Sequence, residues 1–130
     1  FAIAEELSYH QIVYEHTWAC PYGDYRGYGS YERLDSLLER GSKMVAEELA
    51  EYNIIVSPIG KGFKIGREQN LNLLHTDKRH QSREGAYMKA CINYLLIYKQ
   101  PFTAEVSNCG VKAETAKIIR EIAERVVLSE

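Results

Sequence analysis

Asn53-Ile54-Ile55-Val56-Ser57-Pro58-Ile59-Gly60-Lys61-Gly62-Phe63-Lys64-Ile65-Gly66 is the stretch on which the fold turns. Residues 54–56 are a β-branched run with the composition of a short strand. Gly60, Gly62 and Gly66 then punctuate the chain as the reversal of a hairpin would. Read this way, the segment predicts a Gly-rich β-hairpin whose second strand runs through Phe63 and Ile65. The residues before it carry Leu34, Leu37, Leu38, Met44, Val45, Leu49 and Tyr52 at helical steps interrupted only by Gly41. That ladder predicts a long amphipathic helix, with Ser30 as N-cap and an end near Tyr52-Asn53. Gly41 is a point at which the helix could divide, and two helices before a hairpin would follow the order of a winged helix.

Outward from this centre, residues 2–9 suggest a short helix, and the chain after Tyr9 suggests an extended segment. Residues 20–30, with three glycines before Ser30 and one proline, predict a loop. A second helix is expected from about Arg83 to Lys99, capped by Ser82 and ended by Gln100-Pro101. Phe102-Thr103-Ala104-Glu105-Val106 reads as a third strand, and the regular face of Ile118, Ile119, Ile122, Ala123 and Val126 predicts a last helix over 111–127. The expected fold class is therefore α+β, one domain over residues 1–130, with about three main helices and a small antiparallel sheet containing the hairpin.

The chain has 130 residues, 45% of them hydrophobic, enough for one core. Three cysteines do not make a disulfide framework, which favours a reducing, cytoplasmic setting. No apolar run is long enough to span a membrane. The net charge of -2 is unevenly spread. Residues 1–60 hold four Lys/Arg against ten Asp/Glu, whereas 61–99 hold eight against three. The middle of the chain can thus present a positive field to an anionic partner.

Two features suggest binding. Tyr22, Tyr25, Tyr28 and Tyr31 recur every three residues through a Gly-rich loop that also carries Arg26, a composition suited to a protein interface or to stacking on a flat ligand. The segment carrying Lys61, Gly62, Lys64 and Arg67 could bring backbone amides and cations around an anion, with Lys78, Arg79 and Arg83 extending the track. Each has a plainer reading: rings covering the end of a core, and lysines blunting an edge strand. The glycines match neither a phosphate-binding P-loop nor a dinucleotide fingerprint, and no cofactor is implied. His75, Asp77 and His80 could ligate a metal, but without the paired-cysteine spacing of a zinc site.

The leading expectation is a small binding or regulatory protein. It would recognise a protein or an anionic ligand, a nucleotide or nucleic-acid strand, through the Tyr/Gly loop and the basic hairpin. A nucleic-acid-binding domain proper is the first alternative. Glu47, Glu48 and Glu51 weigh against the helix before the hairpin facing duplex DNA. A small cysteine-dependent or hydrolytic enzyme around Cys109 or Cys20 is the second. A helix–hairpin unit would also suit a homodimer.

Overall fold

The computed structural model describes residues 11–23 and 29–128. The chain forms two compact units, Phe1–Ser57 and Pro58–Glu130. The expected helix over 2–9 lies outside the described residues.

The first unit is built on two strands and the helix between them. Strand β1 (Ile12–Glu15) and strand β2 (Ile54–Ser57) pair in parallel, in the register Ile12↔Ile54 to Glu15↔Ser57. The His16 amide donates to the Ser57 carbonyl at 3.0 Å and carries the ladder one residue further. Helix α1 (Tyr31–Glu48) lies in the crossover and contacts β2. Ser30 caps it as expected, its side chain accepting from the Arg33 amide at 3.1 Å. The helix runs through Gly41 without a break, and a turn of 3-10 helix (Ala50–Tyr52) follows it. Asn53 closes that turn in the left-handed conformation, φ 55°, which its short polar side chain tolerates. Its side-chain amide meets the Gln11 side chain at 3.3 Å, while Gln11 donates to the Asn53 carbonyl at 2.5 Å. Ala19, Tyr31 and Leu34 form a small core against which Cys20 and Leu38 pack.

The second unit is helical among its described residues. Helix α2 (Ile59–Glu68), helix α3 (Arg83–Tyr98) and helix α4 (Ala113–Leu128) contact one another pairwise. Ile59, Phe63, Met88, Ile92, Leu95, Ile119 and Ile122 are buried in this unit. Ser82 caps α3 as expected, accepting from the Gly85 amide at 3.1 Å. Lys99, φ 54°, ends that helix before Pro101. The segment 102–106 is a loop rather than the third strand.

The antiparallel sheet and its hairpin are thus corrected. The sheet is a two-stranded parallel one, and the segment expected as the second hairpin strand is α2. Parallel neighbours cannot be joined by a tight turn; they need a crossover, and 16–53 supplies it. Along 59–66 a second periodicity prevails. Ile59, Gly62, Phe63 and Gly66 are three or four apart, or adjacent, and all buried, whereas Lys61, Lys64 and Arg67 are exposed. Each interior glycine costs a helix about 1 kcal/mol relative to alanine. Here the missing Cβ is what lets α2 approach α3: a methyl on Gly62 would stand 2.5 Å from Ile92 Cδ1 and 3.2 Å from Met88 Sδ. Without a hairpin there is no wing, and the winged-helix order lapses with it.

Candidate functional site

Lys61, Lys64, Arg67, Lys78 and Arg79 are placed by two local structures, and Arg83 opens α3. The first is the outer face of α2. Lys61, Lys64 and Arg67 stand three residues apart, so each step falls about 60° short of a full turn and the three spread over one broad exposed sector. Glu68 shares the same helix, whose side chains thus balance three cations against one carboxylate. Gly62 lies on the opposite side, buried against α3 and away from any ligand on the outer face.

The second is the turn between α2 and α3. An antiparallel bridge joins Leu74 to Gln81, and the His75 amide donates to the His80 carbonyl at 2.7 Å. Inside this turn Asp77 is the organising residue. Its Oδ1 accepts from the amides of Arg79 (2.9 Å) and His80 (3.0 Å), and His80 Nδ1 lies 2.6 Å from Oδ2. The His80 side-chain contact, followed by the two amides, holds the Asp77 carboxyl well below the usual carboxylate range. Lys78 adopts φ 60° at the tip, and Lys78, Arg79 and Arg83 are all exposed. The trio His75, Asp77 and His80 therefore serves the turn: His75 Nδ1 faces Thr76 Oγ1 at 3.2 Å while Asp77 is engaged with its successors. Among the described residues no group of three or more His, Cys, Asp or Glu is placed to hold a metal ion.

The tyrosine series divides. Tyr22 is 80% exposed, whereas Tyr31 is buried at the start of α1 and belongs to the core. Tyr25, Arg26 and Tyr28 lie outside the described residues.

The second unit also holds a polar network that sequence reasoning missed. Tyr87, buried on α3, donates to the Ser107 carbonyl at 2.7 Å. Arg120 on α4 donates through Nη1 to Tyr87 Oη and to Asn108 Oδ1, both at 2.8 Å. Burial raises the Tyr87 hydroxyl above its usual range, against the opposing effect of the Arg120 hydrogen bond. One signal for Arg120 was readable: it follows Ala116 by four and precedes Ala123 by three, which puts a cation on the buried stripe of α4.

Beside this network is a largely apolar cavity of about 410 Å³, lined by Tyr87, Cys91, Tyr94, Phe102, Val106 and Cys109 among others. Tyr94 and Phe102 stack at 5.4 Å between centroids. Burial pushes the Cys91 thiol up to about 11, so it is protonated at neutral pH and is a poor nucleophile. Cys109 is exposed in the left-handed conformation, φ 50°, four residues before α4.

Among the described residues no helix is long and apolar enough to cross a membrane. Comparison with known proteins gave no match to a family model, a curated protein or a solved structure.

Proposed function

We propose that this is a small binding or regulatory protein that takes up a single nucleic-acid strand on its 58–130 unit. The observation that carries the reading is the outer face of α2, where Lys61, Lys64 and Arg67 are exposed while the glycines and Phe63 occupy the buried side. The charge of the unit supports it: residues 58–130 hold twelve Lys/Arg against eight Asp/Glu, and residues 1–57 hold four against ten. Lys78 and Arg79, presented by the Asp77 turn, offer further phosphate contacts. A flexible single strand suits short, separated cationic elements better than a rigid duplex, which is read by an element fitted to a groove.

The test is fluorescence anisotropy of labelled single-stranded DNA and RNA against the full chain at several salt concentrations. Three phosphate contacts give a log–log salt slope of roughly -2 for a single strand. The triple variant Lys61→Gln, Lys64→Gln, Arg67→Gln should flatten that slope and weaken binding on the order of a hundredfold at about 0.1 M salt. An unchanged affinity in the triple variant, with its helical content intact, would remove α2 from the site. No binding of any strand at about 50 mM salt would end the proposal altogether.

A further inference from the structure

A second cavity, of about 470 Å³, lies between the loop after α3 and one face of α4. Its charged lining is Lys117, Arg120, Glu121 and Glu124, and Phe102 and Val106 give it an apolar wall. Lys117 and Glu121 are four residues apart on α4, as are Arg120 and Glu124, a spacing at which opposite charges pair readily. No ion pair within 4.0 Å joins any two of these four among the described residues.

Arg120 is the fixed member. Its Nη1 is tied to two neutral acceptors, Tyr87 Oη and Asn108 Oδ1, so the guanidinium is held in place and its charge is not compensated there. Nε and Nη2 make no hydrogen bond among the described residues. A half-buried, oriented guanidinium with donors to spare is matched by a carboxylate, which can accept two parallel N–H bonds. A simple anion, however, would meet Glu121 and Glu124 in the same cavity, and a simple cation would meet Lys117 and Arg120. A ligand carrying both charges satisfies both pairs.

We propose that this cavity binds a free α-amino acid with an apolar side chain. Its carboxylate sits on Arg120 and Lys117, its ammonium group faces Glu121 and Glu124, and its side chain lies against Phe102 and Val106. The cavity volume is at the small end of the range of ordinary ligand pockets, which suits so small a molecule. The site uses neither α2 nor the Asp77 turn, so it stands or falls apart from nucleic-acid recognition.

The experiment is a titration of the 130-residue chain, followed by amide NMR, with L-leucine and L-phenylalanine against phenylacetate and phenethylamine. The expected result is saturable shifts centred on 102–108 and 117–124 for the two amino acids, with either single-charge analogue at least about tenfold weaker. Arg120→Gln should lose binding by about tenfold or more. Because Arg120 also holds Tyr87, Glu124→Gln is the second variant: it should weaken phenylalanine and leave phenylacetate unaffected or improved. No saturable shift up to about 20 mM ligand overturns the proposal. So does phenylacetate binding as tightly as phenylalanine with Glu124→Gln silent, which would make the cavity an anion site only.

Discussion

Single residues set the close approaches of this molecule. Gly85, in the first turn of α3, has the Leu73 carbonyl where a Cβ would stand, so a methyl there must displace backbone. Gly62 faces only side-chain ends, Ile92 Cδ1 and Met88 Sδ. Gly62→Ala should therefore cost about 1–3 kcal/mol in urea unfolding, and Gly85→Ala more than that. Gly41 has nothing within 4 Å of its would-be Cβ, so Gly41→Ala should stabilise α1 by up to about 1 kcal/mol. The thiols differ for a related reason. Burial keeps Cys91 protonated while Cys109 is exposed, so peptide mapping after iodoacetamide at neutral pH should find Cys109 labelled well before Cys91. Equal rates in the folded protein would contradict the burial of Cys91.

Among the elements, the turn between α2 and α3 has a defined pH response. The Asp77 carboxyl is depressed, so what it contributes to the turn is fully present above its ordinary value of 3.8 and is lost as pH falls below that. The carboxyl carbon of Asp77, which accepts from the Arg79 and His80 amides, should thus keep its carboxylate resonance down to that value and move only in stronger acid. Asp77→Ala should shift both amides at every pH, and their insensitivity would show that the carboxylate does not organise the turn. At the same scale the sequence was legible where one element carries its own signals. Ser30 and Ser82 each marked a helix start, and each sits at one, whereas the long helix expected to end near Tyr52-Asn53 stops at Glu48 and Asn53 closes the 3-10 turn after it. The sequence also misled at 59–66, where closely spaced glycines satisfy a turn pattern and a close-packed helix face alike. The deciding partner, α3, begins more than a dozen residues further along.

Over the whole molecule, the described parts of the two units differ in how many hydrophobic residues they bury. Thirteen buried hydrophobic residues fall in 58–130 and three in the described part of 1–57. Burial of this kind sets the free energy of local opening, so amide hydrogen exchange should be slower in α3 and α4 than in α1. Stronger protection in α1 would contradict this ranking. The charge divides at nearly the same place, and that break from acidic to basic composition is legible in the order of residues alone. Arg120 shows the opposite case: its position on an apolar stripe could be read, but not its partners Tyr87 and Asn108, which come from α3 and from the loop after it.

By itself the sequence determined the amphipathic face of α4, the presence and serine caps of α1 and α3, and the separation of charge. These depend on neighbours within a turn or two of chain, where spacing alone dictates which side chains meet. The apolar ladder read along α1 did not hold, since Leu37 and Met44 are exposed while Asp35 and Ser42 are buried. Only the tertiary structure decided that β1 and β2 run parallel, that 59–68 is a helix, and that Arg120 stands between two neutral acceptors in a charged cavity. Those outcomes depend on contacts between segments far apart in the chain, and such contacts leave no period in the local sequence. A glycine records that something can come close; what comes close is settled when the helices pack.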